Sequence, residues 1–488
     1  METSCTPPRG RWVLDFDLIV FIELHHHLEV SVSEAQRRGK KSGEGYWPAN
    51  NLGLGTQRPV ALVLKGFKSV KNELQLPLTP ITILAGRNSS GKSSMLQPLL
   101  MLKQTLDSGS DPGPLLMYGS LTHFTEPAQL LWHTRRGTSR PEFSFGYVDK
   151  EKTVIAQTYA VDKTTGLAIA HVDLRDDVTN VTLAPNQAVD IVALPAHLRK
   201  HLEETKQRIR DLLPGPTSSA DIVYEVQRHR ASLVLSATIQ EQGPEGTRAM
   251  GPIWAFDPME PLQKMASGLI YLPGLRGNPE RDYKIRAVGE TYPGAFQDYI
   301  ASILANWQDS HDASLGRVEE MLQEIGIGGK VAVRRINAVA RDIRIDLDSV
   351  ADVGLGVSQV LPLLIALAVA EKKRNCVYVE QPEIHLHPKA QYALAAVLAK
   401  SAKAGARIIV ETHSSILILG LLTAVADHTI ERTSLGLNWF DQNPQKATTM
   451  VTAHVDAQGR VEQWPADFDE TDFAAQRRYV DLSLFGGS

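Results

Sequence analysis

The chain has 488 residues, 43% of them hydrophobic, so it can bury two or three cores and is not of the disordered class. Lys and Arg total 51 against 55 Asp and Glu, and this net charge of -4 argues against a generally basic, nucleic-acid-coating protein, although a local basic groove stays compatible. The cysteines, Cys5 and Cys376, are far apart, which excludes a disulfide scaffold and a cysteine-based zinc site and fits a reducing cytoplasm.

Residues 1–58 are predicted to form an N-terminal extension of a strand, a solvated segment and a loop. The apolar stretch 12–24 is too short to span a membrane and carries three acidic residues, so we interpret it as a strand and expect no membrane association. The start of the chain lacks the pattern of a signal peptide. His25, His26 and His27 would alternate between the faces of a strand, which favours a surface position over a metal site.

Regular patterns begin at residue 59. Apolar runs predict three strands, at 60–67, 74–78 and 81–85. A helix is predicted from Gly91 to Leu106, bent or weakened by Pro98. Residues 142–190 alternate between apolar and polar, which predicts an antiparallel sheet. We therefore assign 59–190 to one half of an α/β unit with an antiparallel β subdomain.

The second half of the chain has a different organisation. Residues 191–267 are assigned to a small helical lobe, because the segment opens with helical spacing and mixed charges. A break at 214–219 separates this helix from a second helix or strand region at 221–240. Residues 268–440 return to strand–helix–strand order, with buried strands at 376–380 and 407–412, which predicts parallel crossovers. Residues 441–488 are predicted to form a C-terminal hairpin tail, with the turn of the hairpin near Gln458-Gly459.

A phosphate-binding loop is predicted between the third strand and the helix. The stretch GRNSSGKSS has the form G-x-x-x-x-G-K-S, in which glycines let backbone N–H groups face an anion, Lys92 reaches the β and γ phosphates and Ser93 offers a hydroxyl to Mg²⁺. The helix N-terminus adds partial positive charge. The chain has no Asn-Lys-x-Asp motif for guanine, so ATP and Mg²⁺ are the expected cofactors. The predicted nucleotide-binding residues are Gly86, Arg87, Asn88, Ser89, Ser90, Gly91, Lys92, Ser93 and Ser94.

A second informative stretch, VYVEQPEIHLHPKAQ (377–391), ends a buried strand in Glu380-Gln381. An ordinary strand followed by a polar turn would look the same. The phosphate loop upstream and the next strand, which runs into His413, favour instead a strand that brings acidic residues to the metal ion of a nucleotide.

Four further stretches accompany the phosphate loop in chain order: GFKSV (66–70), DVGLGVSQVLPLL (352–364), VEQPEIHLHPKAQ (379–391) and ETHSS (411–415). In order and spacing they resemble the ABC-type ATPase heads of the SMC, RecF and OLD-like group, and most of all the short, arm-less AAA-family ATPases of prokaryotes with an EQPEIHLHP box. The resemblance implies an α/β fold: a P-loop NTPase head of the ABC type with a mixed sheet, an antiparallel β subdomain and a small helical lobe.

The resemblance also implies a role for each motif. Glu380 would end the Walker B strand and hold Mg²⁺ together with Ser93, and His413 would be the switch histidine at the γ-phosphate or the attacking water. The loop 385–387 would communicate across a dimer; its two histidines have no third ligand nearby in sequence, which argues against a metal pair. The signature segment 353–359 would face the ATP of a partner head, so a homodimer that sandwiches two ATPs is expected.

The signature segment departs from the pattern of the group. If Gly356 is its second glycine, then Gly354 occupies the position of the usual serine. Ser358 follows two residues later, at the start of the helix, where its hydroxyl or backbone is a candidate substitute, and Gln359 completes the segment.

Two further departures concern glutamines. The glutamine that senses Mg²⁺ in such heads has three candidates, Gln97, Gln104 and Gln129, and the sequence does not choose among them. Where these ATPases commonly have Asp-Glu, this chain has Glu380-Gln381.

The amide at Gln381 bears on catalysis, because glutamine can orient water but cannot accept a proton. Three outcomes are open: Gln381 orients water and turnover is slow, Glu383 takes over as base, or turnover waits for a partner or nucleic acid. We favour slow or gated hydrolysis.

Residues 271–286 concentrate arginines and tyrosines, which suits binding of phosphates, a partner or nucleic acid. A solvated loop anchored by aromatic rings is the preferred interpretation. Arg276 is nevertheless a candidate site residue, since arginines near ATP sites stabilise transferred charge.

The resemblance suggests two functions. The first is an ATP-switched sensor and scaffold in prokaryotic antiphage defence, with a separate nuclease or toxin effector, because the residues after 440 are too few for the nuclease domain of OLD-like proteins. The alternative is a DNA-repair or DNA-maintenance ATPase that clamps DNA, although the chain lacks coiled-coil arms and is mildly acidic. A non-ATPase binding module is disfavoured by the intact phosphate loop.

Overall fold

The computed structural model describes residues 58–132, 142–162, 166–212, 221–243 and 246–462. The predicted N-terminal extension and the end of the tail lie outside these ranges. The strands are β1 (Ala61–Lys65), β2 (Leu74–Pro77), β3 (Ile81–Gly86), β4 (Glu142–Val148), β5 (Val154–Asp162), β6 (Gly166–Arg175), β7 (Asn180–Leu183), β8 (Ala188–Val189), β9 (Asp221–His229), β10 (Ser232–Gly243), β11 (Gly246–Phe256), β12 (Ile270–Leu272), β13 (Tyr283–Lys284), β14 (Val331–Arg335), β15 (Ala340–Ile345), β16 (Asp348–Ser349), β17 (Cys376–Glu380), β18 (Arg407–Glu411), β19 (Leu435–Gln442) and β20 (Thr448–Ala453). The helices are α1 (Lys92–Leu106), α2 (Ala196–Leu212), α3 (Glu260–Ser267), α4 (Ile300–Asp309), α5 (Ala313–Ile325), α6 (Leu355–Lys373), α7 (Pro388–Lys403) and α8 (Ser415–Ala426).

The central layer is a six-stranded sheet in the order β12-β17-β18-β3-β19-β20. Its first five strands are parallel, and β20 adds an antiparallel edge. All residues of β3 are buried, as expected for a parallel strand covered on both faces. The predicted parallel crossovers are confirmed, and the carboxyl ends of β3, β17 and β18 meet at one edge of the sheet.

An antiparallel sheet in the order β2-β1-β4-β5-β6-β7 forms a second layer. The alternation that predicted it is visible in β6, where buried and partly exposed residues follow each other along the strand. The P-loop helix α1 contributes to the hydrophobic core that includes residues of this layer and of one face of the parallel sheet, with Leu99, Phe145 and Ile409 among its members. Helices α4 to α8 build the other core, on the opposite face of the parallel sheet.

The segment predicted as a helical lobe contains both helices and strands. It contains α2 and α3, but between them β9, β10 and β11 form an antiparallel sheet with β8. The expectation of a helical lobe is therefore wrong in its secondary structure. The reason is that helical spacing is confined to α2, whereas β9 has a two-residue period in which Ile222, Tyr224 and Val226 are buried on one face.

The predicted tail hairpin is also arranged differently. Strand β20 pairs with β19, across a turn at 443–447. The turn expected at Gln458-Gly459 exists, but it closes only the isolated bridge between Val455 and Val461.

One helix in the described part of the chain, α6, is long and apolar enough to cross a membrane. In its most apolar window 72% of the helix is buried inside the protein, where it packs beside β17, α5 and α7. Its apolar character is therefore explained by its place in the core.

Candidate nucleotide and magnesium site

The phosphate loop connects β3 to α1 and is exposed at Arg87, Asn88 and Ser89. Gly86 and Gly91 have φ of +133° and +101°, a region that residues with a side chain rarely adopt. A Cβ atom at Gly86 would lie 2.1 Å from the carbonyl oxygen of Phe440 in β19. The two glycines thus allow a tight curl that turns backbone N–H groups towards the open side.

Lys92 is the first residue of α1 and is buried, with a side-chain ammonium that stays within the loop. Its Nζ donates hydrogen bonds to the carbonyl oxygens of Gly86 at 3.0 Å and Arg87 at 2.7 Å. Burial lowers the pKa of Lys92, while the nearby charge of Glu411 opposes the shift. Phosphate oxygens that enter the loop would replace these carbonyl oxygens as hydrogen-bond acceptors. The ammonium group therefore already lies where a phosphate group would bind.

Two residues that the sequence analysis did not single out brace the loop from β19 and β20. Thr448 donates to the carbonyl oxygen of Ser90 at 2.9 Å, and Nε2 of Gln442 donates to that of Ser89 at 2.7 Å. They belong to a hairpin far from the motif in sequence, and no local pattern marks them. The loop is therefore shaped by the C-terminal strands as well as by its own glycines.

Glu380, at the carboxyl end of β17, is held by three donors. Its oxygens accept hydrogen bonds from the hydroxyls of Tyr271 at 2.9 Å and Tyr378 at 3.1 Å and from the backbone N–H of Gly274 at 3.2 Å. Tyr271 and Tyr378 stack with ring centroids 5.2 Å apart. The carboxylate predicted to act on Mg²⁺ is thus oriented by the aromatic residues of 271–286 and of its own strand.

A second carboxylate, Glu411, lies beside Glu380 and was missed by the sequence analysis. The two strands are parallel and in register, with Glu380 opposite Glu411. Glu411 receives the hydroxyl of Ser93, which lies 3.0 and 2.9 Å from its two oxygens. The hydroxyl of Tyr378 lies 3.1 Å from Glu411 as well as from Glu380, so the two carboxylates share its single proton. Burial and the neighbouring charge of Glu380 raise the pKa of Glu411, although Ser93 and Lys92 oppose the shift. The signal was present in the stretch ETHSS, where the glutamate ends the strand next to β17 in the sheet.

The donor set suits magnesium. Ser93, Glu380 and Glu411 provide a hydroxyl and two carboxylates, which are the hard oxygen ligands that Mg²⁺ prefers. The structure brings Ser93 directly to Glu411, and the hydroxyl of Tyr378 connects that carboxylate to Glu380.

Gln381 follows Glu380 with a positive φ of 46°, which is strained for a residue with a side chain. Its backbone N–H donates to the carbonyl oxygen of Glu411 at 2.6 Å, and this bond fixes the turn. Arg87, Asn88, Gln381 and His413 line one open cleft of about 660 Å³. The phosphate loop and the two motif strands therefore converge on a single cavity.

Glu383 faces the switch strand. Its Oε1 accepts hydrogen bonds from the hydroxyl of Thr412 at 2.7 Å and from the backbone N–H of His413 at 3.0 Å. Desolvation within the cleft and the charge of Lys92 lower the pKa of His413, whose ring edge stays exposed. Glu383 thereby sets the position of the His413 backbone.

The signature segment forms the N-terminus of α6. Gly354 is exposed, and Gly356 packs so closely that an added Cβ would lie 2.7 Å from the carbonyl oxygen of His385. Ser358 and Gln359 point inwards: the hydroxyl of Ser358 donates to Leu355 within the helix, and Gln359 donates to the backbone of Arg276 at 3.2 Å. The exposed part of the segment is therefore its first turn.

Arg276 is buried and ties two motifs together. Its guanidinium donates to the carbonyl oxygen of Gln359 at 3.1 Å and to that of Glu380 at 2.7 Å. Burial lowers the pKa of Arg276 to about 10, and the charges of Glu383 and Glu380 oppose the shift, so it stays charged at neutral pH. In this arrangement Arg276 positions the signature helix against the Walker B strand.

The three candidate sensor glutamines have other partners. Gln104 is buried and contacts the loop 116–122, and Gln129 accepts from the backbone N–H of Thr125 at 2.9 Å. Gln97 accepts from Lys68 Nζ at 3.0 Å on the partly exposed side of α1. None of the three contacts Ser93, Glu380 or Glu411 among the hydrogen bonds of the described residues.

Comparison with known proteins adds one decisive match. Residues 295–418, which include the signature segment, β17 and β18, match the family model described as AAA ATPase domain. This part of the chain is therefore similar to AAA ATPase domains. The resemblance of its motifs to AAA and ABC-type ATPases is thereby confirmed, and so is the predicted α/β P-loop fold.

Solved structures similar to this chain include head domains of SMC proteins. They include the Smc head bound to the C-terminal winged-helix domain of ScpA, with 12% identity over 81% of this chain and 98% of that one and a TM-score of 0.43. The SMC head domain from Thermotoga maritima has 11% identity over 82% and 100% of the two chains and a TM-score of 0.37. No curated protein matches the chain. The assignment therefore rests on the family match and on the geometry of the site.

Proposed function

We propose that this chain binds ATP with Mg²⁺ in the cleft between the phosphate loop and the carboxyl ends of β17 and β18. The observation that carries the proposal is the convergence of Arg87, Asn88, Gln381 and His413 on one open cavity of about 660 Å³. A P-loop lysine, a hydroxyl and two carboxylates lie beside it.

The same residues suggest how the phosphates are held. Lys92 would exchange its loop carbonyl acceptors for phosphate oxygens, and the N–H groups around Gly91 would donate to them. Ser93, Glu380 and Glu411 would hold Mg²⁺, which when bound neutralises charge on the β and γ phosphates.

Hydrolysis is slow or gated in this proposal. Gln381 lines the cleft where water would attack, but its amide cannot take a proton. Glu383, the alternative base, is bound to Thr412 and to the backbone N–H of His413. The arrangement favours Gln381 as the group that orients water and Glu383 as the group that positions His413.

We extend the proposal to a homodimer that closes on ATP. The cleft is open, and the first turn of α6 presents Gly354 and Leu355 to solvent, with 47% of Leu355 exposed. In a closed dimer this turn of one protomer would cover the ATP of its partner, and the apolar side chain would lose contact with water.

Light scattering with and without ATP and Mg²⁺ tests the dimer. Wild-type protein should double in mass with ATP, whereas Leu355→Asp should stay monomeric and keep ATP binding. Val178→Asp is the matched control, since Val178 is 90% exposed and lies in the turn between β6 and β7, and it should dimerise normally. A Leu355→Asp protein that dimerises like the wild type contradicts the proposed interface.

The cellular role belongs to the same proposal: a cytoplasmic sensor and scaffold in antiphage defence, with a separate nuclease or toxin as effector. This cellular role is supported by the resemblance of the motif set to the ABC-type ATPase heads of the SMC, RecF and OLD-like group. DNA-stimulated ATP hydrolysis by the purified protein would favour the alternative, an ATPase that clamps DNA. A nuclease or toxin encoded next to this chain, and bound by it only with ATP, would favour the sensor.

A further inference from the structure

A second cluster of ligating side chains lies in the antiparallel β subdomain. Asp149 and Glu151 belong to the turn between β4 and β5, and His197 lies in the first turn of α2. One oxygen or nitrogen atom from each side chain lies within 4.8 Å of the other two. The cluster joins the six-stranded antiparallel sheet to the helix that opens the following lobe.

The turn itself is rigidly built. The backbone N–H of Asp149 donates to the carbonyl oxygen of Thr153 at 3.0 Å, and the backbone N–H of Thr153 donates to Oδ1 of Asp149 at 2.7 Å. These bonds leave Oδ2 of the same carboxylate directed away from its own turn and close to His197.

Polar atoms in this cluster lack a matching hydrogen bond. Asp149 is completely buried, and its Oδ2 lies 2.9 Å from Nε2 of His197, yet neither atom forms an aligned hydrogen bond. The hydroxyl of Thr153 in the same turn is also buried without a partner. Buried polar atoms are rarely left unsatisfied, because the free-energy cost of removing them from water is then not offset by a new hydrogen bond. The close approach without alignment is the geometry of two ligands that share a third atom.

The chemistry of the three side chains selects the ligand. One imidazole nitrogen and two carboxylate oxygens suit a divalent first-row transition ion, and Zn²⁺ binds such atoms at roughly 2.0–2.2 Å. A spacing of 2.9 Å between Oδ2 and Nε2 corresponds at those lengths to an angle of about 90° at the metal, as in five- or six-coordinate sites. Glu151 is exposed, so water has access to the remaining positions.

We propose that Asp149, Glu151 and His197 form a structural site for a divalent transition-metal ion, for which Zn²⁺ is the probe. The ion would fasten α2 to the turn between β4 and β5. It would thereby fix the lobe formed by β8 to β11 on the antiparallel sheet. The site is separate from the ATP cleft and uses none of its residues.

Zinc binding by the full-length chain, without nucleotide, tests the proposal. His25, His26 and His27 are first replaced by alanine, so that the metal count reports only on the rest of the chain. Equilibrium dialysis followed by metal analysis should find one Zn²⁺ per chain in this parent protein. His197→Ala and Glu151→Gln should each weaken its binding at least tenfold, and Zn²⁺ should raise the melting temperature of the parent but not of either variant.

His171→Ala is the matched control. His171 lies on the same sheet, 3.5 Å from Asp173, but outside the cluster, so its replacement should leave zinc binding unchanged. Glu151 is an exposed turn residue, and Glu151→Gln keeps the test valid if His197→Ala does not fold. Equal zinc binding by the parent and Glu151→Gln, or no zinc binding by the parent, would overturn the proposal and leave a plain pair between Asp149 and His197.

Discussion

The hydroxyl of Ser93 lies 3.0 and 2.9 Å from the two carboxylate oxygens of Glu411, although the residues are 318 positions apart in sequence. This contact joins the end of the phosphate loop to the strand of the switch histidine. It places a second carboxylate beside Glu380 in the proposed magnesium site.

Glu411→Gln tests this second carboxylate. The amide has nearly the same shape and still accepts a hydrogen bond, but it lacks the charge that attracts Mg²⁺. We expect the Mg²⁺ concentration for half-maximal ATP binding to rise at least ~10-fold, or about 1.4 kcal/mol. Glu324→Gln, which breaks a surface pair with Lys400 far from the cleft, is the control. An unchanged Mg²⁺ requirement in Glu411→Gln would show that Glu380 and Ser93 suffice.

Replacing Gln381 by glutamate addresses the rate of hydrolysis. If orientation of water without a base limits turnover, Gln381→Glu supplies the missing proton acceptor and should raise the rate of phosphate release on the order of 10²-fold. Steady-state phosphate release at saturating ATP measures it. If the variant releases phosphate at the wild-type rate, the prediction for Gln381 is wrong and Glu383 becomes the candidate base.

Glu383→Gln distinguishes positioning from base catalysis. Since Glu383 accepts hydrogen bonds from Thr412 and His413, an amide there can keep one acceptor and hold the switch strand. We expect a loss of less than ~10-fold in phosphate release, compared with a 10²–10⁴-fold contribution from a true general base. A loss in the larger range would identify Glu383 as the base.

Gly86→Ala tests the curl of the phosphate loop. The new methyl group would lie 2.1 Å from the carbonyl oxygen of Phe440, at a φ that alanine rarely adopts, so we expect a loss of stability of roughly 2 kcal/mol or more and loss of ATP binding. Gly316→Ala is the control, because no atom lies within 4 Å of its Cβ position in α5, and it should be neutral or stabilising. Urea unfolding compares the two, and equal effects would contradict the close approach.

Asp257 makes stability depend on pH. Desolvation raises its pKa to about 6, although hydrogen bonds from Ser232, Met259 and Gln263 oppose the shift. Because its folded pKa lies above the unfolded value of about 3.9, the folded state binds more protons between about pH 4 and 6, and this contribution to stability is lost as the pH rises through 6. Relative to Asp257→Asn, the wild type should lose up to about 1 kcal/mol of unfolding free energy between pH 5 and 7.5. A pH-independent difference would contradict the raised pKa.

Much of the ATP site could be predicted from local sequence. The phosphate loop requires glycines, a lysine and a hydroxyl at fixed offsets, and Gly86, Lys92 and Ser93 satisfy that requirement within a few residues. Strands β3, β17 and β18 are short apolar runs that only a fully covered parallel sheet accommodates, so the central layer was predictable as well.

Long-range relationships escaped the sequence analysis. The pairing of Ser93 with Glu411 and the bracing of the loop by Gln442 and Thr448 depend on strand order in the sheet, which local patterns do not encode. Arg276 appeared to be a candidate for contact with phosphate, yet its guanidinium satisfies two buried carbonyl oxygens. Its burial depends on the fold around it and has no local signature.

Binding of ATP to the resting protein is the most direct test of the central claim. Isothermal titration with ATP and Mg²⁺ should show one saturable site per chain in the wild type. Lys92→Ala, which removes the ammonium from the loop, should bind at least ~10-fold more weakly, a loss of about 1.4 kcal/mol. Equal ATP affinity in the wild type and Lys92→Ala, or no binding in either, would contradict the assignment of the cleft as the nucleotide site.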